Sequence, residues 1–230
     1  MSLNGTIRRD PETPVSGRPC QIEVDGKVVE ERTKIYLALN KPRGVVTTAA
    51  DERGRDTVYA ILNFSSPHRT DNLGENVSWV APVGRLDKAS EGLLLLTNDS
   101  EWAARIAAPE THLGKTYHVQ VGTVADDEFV KALMDGVKVR GVKAKGEEML
   151  RAKQARRLRA GQKNCWLEIV LDQGKNRQIR RMMEAMGVEV LRLVRVAIGP
   201  LPLGNLAKGK HRVLTAEEKR ILDQAAGRTL

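Results

Sequence analysis

The sequence predicts an α+β fold with a mixed, mostly antiparallel sheet and flanking helices. Three observations predict it. Segments with the two-residue alternation of strands and segments with the helical period follow one another without the regular spacing of a doubly wound sheet. A run of four leucines, Leu93 to Leu96, needs apolar cover on both of its faces. With 41% hydrophobic residues over 230 positions, the chain can bury a sizeable core.

Taken in order, Pro11, Pro14, Gly17 and Pro19 punctuate a charged N-terminal stretch expected to wander along the surface. Its one extended piece is Gln21 to Val29, turning at Asp25-Gly26. Ile35 to Asn40 reads as a strand that Lys41-Pro42-Arg43-Gly44 ends, because proline removes a ladder donor. A short helix over Thr57 to Asn63, a polar loop through Gly74 and an extended Trp79 to Gly84 follow. Gly92 to Thr97 is the doubly covered strand. A helix over Ser100 to Ala107 starts at Asn98 or Asp99, with Glu101 placed for a capping box on Asn98. Lys115 to Val121 alternates as a strand, and a helix from Asp126 to Met134 stops at Gly136. Met149 to Leu158 and Cys165 to Leu171 are expected to pair around a turn at Gly161. Ile179, Met182, Met183 and Met186 make one apolar helical stripe opposite Arg177, Arg180, Arg181 and Glu184. Val188 to Val196 is the last long strand, and Thr215 with Glu218 forms the capping box of a C-terminal helix.

Composition removes several functions. No window approaches the roughly 18 uncharged apolar residues of a membrane helix, and the N-terminus has no secretory apolar core, so a cytoplasmic protein is expected. Cys20 and Cys165 are solitary and the four histidines are scattered, which gives neither a disulfide framework nor a metal site. The net charge of +9 favours an acidic partner. Between Val137 and Lys163 ten basic residues face two acidic ones, and Lys175, Arg177, Arg180 and Arg181 follow with no acid among them. Most such runs are solvated faces, but guanidinium forks also suit phosphates. Three Trp, three Tyr and two Phe are too few for a base-stacking sheet, so a nucleic-acid partner would be held by its backbone and one extruded base.

Chemistry concentrates in GRLDKASEGLLLLTND, Gly84 to Asp99, where charged residues stand directly before the buried strand. A reactive Asp87 on a loop anchored to the core is one reading, and a turn merely capped by Asp87 or Ser90 is another. This stretch resembles the motif of the RsuA branch of pseudouridine synthases. NKPRG (Asn40 to Gly44), GKTYHVQV (Gly114 to Val121) and GKNRQIRRM (Gly174 to Met182) match further motifs in the family's order. The resemblance runs from Ile35 to about Thr215. It implies the pseudouridine synthase fold with a central cleft, and an isomerase that detaches uracil from C1′ of a flipped uridine and rejoins it through C5. The reaction calls for no cofactor and no metal.

The resemblance implies roles residue by residue. Asp87 matches the catalytic carboxylate, Arg180 its basic partner, and Tyr117 the aromatic that stacks on the target base. Arg85 matches the arginine that can fill the space the base leaves. Lys41, Arg43, Arg177 and Arg181 are candidate RNA contacts, which a strand-ending turn or a solvated helix face would explain as well. Residues 35–230 are then the catalytic domain. Residues 1–34 form a partly disordered N-terminal extension, too short for the complete S4-type RNA-binding domain that several members carry, so the RluE-type members are the better match. The expected partner is ribosomal RNA, 23S before 16S, and the expected state is a monomer. The alternative is a non-catalytic rRNA-binding or ribosome-assembly protein on the same fold.

Overall fold

Two turns with positive backbone φ, at Asn4-Gly5 and Asp25-Gly26, organise the N-terminus. They join β1 (Ser2–Leu3) to β2 (Thr6–Ile7) and β3 (Ile22–Val24) to β4 (Lys27–Val28), in a sheet of order β2-β1-β3-β4. The turn at Asp25-Gly26 is where the sequence placed it. The first hairpin adds a second extended piece to the one expected, since strands of two residues carry no alternation to read, while Pro11, Gly17 and Pro19 of the expected wandering stretch lie outside the described residues. The computed structural model describes residues 1–10, 12–15, 21–29, 33–48, 54–62, 79–141 and 146–227. The polar loop through Gly74, Asn63 and Cys20 lie outside them.

The body of the chain runs β5 (Tyr36–Lys41), α1 (Val58–Ile61), β6 (Ala81–Val83), β7 (Glu91–Thr97), α2 (Ser100–Ala107), β8 (Lys115–Val121), α3 (Asp127–Asp135), β9 (Val137–Arg140) and β10 (Glu147–Leu150). It continues with β11 (Gln154–Ala160), β12 (Cys165–Leu171), α4 (Gln178–Ala185), β13 (Val190–Ile198), β14 (Leu201–Pro202), β15 (His211–Val213) and α5 (Ala216–Ala225). The large sheet has the order β11-β12-β8-β13-β7-β5-β15, with β14 on β13 and β6 on β7. Its strand pairs are antiparallel except β13 with β7. The expected mixed, mostly antiparallel α+β fold is the one observed.

β7 is buried along its whole length. Leu93 and Leu95 pack with Trp102 of α2 and Leu222 of α5, while Leu94 and Leu96 pack with Val58, Leu62 and Leu86 on the opposite face. That double cover is why four leucines in a row form a strand. Leu94→Ala is expected to cost about 2–5 kcal/mol of stability, read by urea unfolding. A loss below about 1 kcal/mol would contradict this packing. The apolar stripe of α4 covers the far half of the sheet, with Ile179, Met182 and Met183 against Val119, Leu167 and Leu193.

Two local expectations are corrected, the Asn98 capping box and the single strand over Met149 to Leu158. The α2 cap is Asp99, whose carboxylate accepts from Trp102 N at 3.1 Å. Asn98 instead binds the backbone of Ile35 and Thr33, so no Asn98–Glu101 capping box forms. The single strand expected over Met149 to Leu158 is two, because β10 pairs with β9 and only β11 pairs with β12. The Thr215–Glu218 box on α5 is complete. Among the described residues no helix is long and apolar enough to cross a membrane, and no group of three metal-ligating side chains occurs.

Candidate active site

One edge of β7 is shared by two strands. β13 pairs with its first residues, Glu91 and Gly92, and β6 with its last, Leu95 to Thr97. Between these neighbours the edge is open, and there Arg195 Nε donates to the Leu93 carbonyl at 2.7 Å. A Cβ at Gly92, where φ is +104°, would collide with the Arg195 carbonyl, so only glycine lets β13 approach. A cleft of about 750 Å³ lies at this fork, reaching Val83 and Arg85 on one side and Leu193, Arg195 and Ile198 on the other.

The loop from Gly84 to Ser90 carries Asp87 into that cleft. Its backbone is held at five successive carbonyls. The Leu86 carbonyl accepts from Thr47 Oγ1 (2.8 Å), that of Asp87 from Ser90 N (3.0 Å), and that of Lys88 from Gly44 N (2.8 Å). The Ala89 carbonyl accepts from Arg180 Nη2 (2.9 Å) and that of Ser90 from Lys41 Nζ (2.8 Å). The Leu86 side chain is sunk in the core below. A loop fixed in this way presents its one carboxylate with little freedom to wander.

The Asp87 side chain is 35% exposed and pairs with Arg177 Nη1 at 3.5 Å. Arg177 is the residue just before α4, in a left-handed conformation (φ +47°), and so is not on the polar face of the helix as expected. Arg180 also lines the cleft, but its hydrogen bond goes to the loop backbone, and its Nε is buried without a partner. Burial holds its proton affinity below the usual arginine range; Arg177 and Arg43 push the same way and Asp87 opposes them. Tyr117 faces the cleft from β8, half-buried between two parts of the core. The three residues expected at the chemistry, Asp87, Tyr117 and Arg180, thus line one cleft. The direct ion pair of Asp87, however, is with Arg177.

Two candidate RNA contacts are corrected. Lys41 is fully buried; its ammonium donates to the carbonyls of Pro42 and Ser90, so it braces the Asp87 loop. Burial lowers its pKa to about 8, against the pull of Asp87 and Glu91. Arg181 is pinned to Glu148 (2.6 Å) and to the Arg140 carbonyl (2.8 Å) with its side chain 13% exposed, and ties α4 to the β9–β10 hairpin. Arg43 and Arg85 are exposed, the latter on the cleft rim. Part of the basic segment is also neutralised within the protein. Arg156 binds Glu168 at 2.6 Å, Arg157 binds the Ala125 carbonyl, and Arg159 lies over the Trp166 ring. Arg151 and Lys153 stay exposed beside α4, whose Gln178 holds the Arg151 carbonyl.

Sequence reasoning missed Lys115 and Arg195, both in the cleft lining. Signals existed. Lys115 stands two residues before Tyr117 and therefore on the same strand face, and Arg195, with Arg192, is one of two cations in a strand whose other residues are apolar.

The family model described as RNA pseudouridylate synthase matches residues 35–185. The chain belongs to this family. The match spans β5 through α4 and so takes in the Asp87 loop, Tyr117, Arg177 and Arg180. Ribosomal large subunit pseudouridine synthase B of Bacillus subtilis is 34% identical over 96% of this chain and 84% of its own length. The large subunit pseudouridine synthase E of Xanthomonas campestris is 37% identical over 81% of this chain and 98% of its own. A solved structure, "Crystal structure of pseudouridylate synthase", superposes with a TM-score of 0.67 at 28% identity, covering 96% of this chain and 87% of that one. As an RNA pseudouridylate synthase, the chain has use for a cleft that combines a fixed carboxylate, an aromatic ring and several cations.

Proposed function

We propose that this pseudouridine synthase acts on a uridine of ribosomal RNA, in the large subunit, with Asp87 as the carboxylate at the reacting carbon. The observation that carries this reading is the convergence of Asp87, on a loop braced at five carbonyls, with Tyr117 and with Arg85, Arg177 and Arg180 in one cleft. The large-subunit rRNA specificity in the names of the Bacillus and Xanthomonas relatives supports the choice of substrate.

The target uridine leaves its stack at a cost of a few kcal/mol, and stacking on Tyr117 returns about 1–3 kcal/mol. Arg85, exposed on the rim, fills the gap left in the RNA. Arg43, Arg151 and Lys153 take phosphates. Arg177 holds the Asp87 carboxylate by their ion pair until substrate arrives. The C1′–N1 bond breaks, the ring turns, and C5 bonds to C1′. The C5 hydrogen leaves to solvent and N1 takes up a proton, so substrate and product are isomers and nothing is oxidised. All these residues come from one chain, which supports action as a monomer, and an rRNA substrate supports a cytoplasmic enzyme.

The test is tritium release from 5-tritiated uridine in unmodified 23S and 16S transcripts. Release from 23S alone is expected, at about one equivalent per transcript. RNA retention without release from either transcript would overturn the reading in favour of a non-catalytic rRNA-binding protein. Salt-sensitive binding alone would not distinguish the two, because both rely on phosphate contacts.

A further inference from the structure

The floor of the cleft holds two cations, Arg195 and Lys115, with no carboxylate paired directly to either among the described residues; Asp172 acts on Lys115 only from a distance. Arg195 is only 5% exposed, yet among the described residues its guanidinium makes one hydrogen bond, from Nε to Leu93, and its Nη2 finds no partner. No carboxylate lies within salt-bridge distance of Arg195 or Lys115 among the described residues. A buried cation without a counter-charge is costly, and removing it would ordinarily stabilise a fold. Its retention at a cleft needs a ligand.

Register says what that ligand is. Arg195 stands directly across from Tyr117 on the antiparallel β13–β8 pair, so the two side chains emerge side by side on the cleft face. Lys115, two residues before Tyr117, emerges on the same face. A pyrimidine stacked on Tyr117 therefore lies with its edge over two cationic donors. Phosphates, which are strongly hydrated, suit the rim, where Arg85, Lys88 and Arg177 are exposed. Apolar side chains of Ile106, Leu193 and Ile198 line the cleft together with these cations.

We infer that Arg195 and Lys115 form the site for the carbonyl edge of the detached pyrimidine and stabilise the negative charge it carries between bond cleavage and re-attachment. This rests on the isomerase reading above. When C1′–N1 breaks, the bonding pair stays with the ring and spreads onto its two carbonyl oxygens, while the Asp87 carboxylate meets the electron-poor C1′. Arg195 and Lys115 donate to those oxygens. After rotation the ring's electrons form the C5–C1′ bond, the C5 proton leaves, N1 is protonated, and the charge is discharged. Preorganised donors at a developing oxyanion act on the transition state more than on the ground state.

The experiment compares wild type with Arg195→Met, Arg195→Lys and Lys115→Met in single-turnover tritium release at saturating RNA, with RNA affinity and thermal unfolding measured alongside. Each Met variant is expected to lose about 10²-fold in the chemical rate, with affinity within about threefold of wild type. Arg195→Lys recovers part of the rate. The melting temperature of Arg195→Met reports separately what the Nε–Leu93 hydrogen bond contributes to the fold, so a rate lost at a temperature where both proteins are fully folded is not an effect of stability. If Arg195→Met fails to fold, Lys115→Met decides alone. Rates within threefold of wild type, or loss confined to RNA affinity, would overturn the inference while leaving the isomerase reading intact. Absence of release by wild type on either rRNA is the separate failure of that reading.

Discussion

Asp87→Asn is expected to lower pseudouridine formation by about 10⁴-fold or more while leaving RNA affinity and fold nearly unchanged. The substitution conserves shape and removes only charge. The five contacts that hold the loop involve its carbonyls, so none is lost. The one direct ion pair that disappears is that with Arg177, which is half exposed and therefore worth about 1 kcal/mol at most; the longer-range attraction of Asp87 for Lys41 and Arg180 goes with it. Single-turnover tritium release, filter binding and a thermal melt separate the three effects. Turnover within tenfold of wild type would remove Asp87 from the chemistry.

Lys41→Met carries the second large effect, through positioning rather than contact. Without the ammonium, the Ser90 and Pro42 carbonyls lose their donor and the loop can drift. A displacement of about 1 Å at the reacting carboxylate costs on the order of 10²-fold in rate. A pH readout distinguishes this role from simple destabilisation. Burial lowers the Lys41 pKa to about 8 from an ordinary value of 10.5. Between those values the unfolded chain binds the proton more than the folded one, so this lysine's contribution to stability rises with pH across that window. Below pH 8 its full desolvation cost applies. The difference in urea midpoint, wild type minus Lys41→Met, is therefore expected to increase from pH 8 to pH 10. A flat difference would mean that Lys41 is not held as a buried cation.

Much of the architecture is legible along the chain because its causes are local. The Thr215–Glu218 box starts α5, the methionine stripe makes α4, and Gly136 stops α3, each decided by residues within a few positions. The same holds for the leucine run of β7, whose double burial follows from having no polar face. Asp87, Tyr117 and Arg180 were legible through the four sequence boxes. What those residues touch was not.

Tertiary structure decided the rest, for a physical reason that recurs at each point. Lys41 looks like a surface cation beside a proline turn, and becomes a buried brace because β5 runs next to β7, which brings the Ser90 carbonyl over it. Arg177, not Arg180, meets the Asp87 carboxylate, because α4 begins one residue later than its charge pattern and the preceding residue turns left-handed. Met149 to Leu158 divides between two sheets because pairing partners outrank local alternation. The cleft exists because β13 and β6 share one edge of β7 and part company at Leu93. The sequence by itself determined most of the long elements, those with local causes, and which boxes they carry. Only the tertiary structure determined which distant strands became neighbours, and hence where each charge found a partner or was left without one.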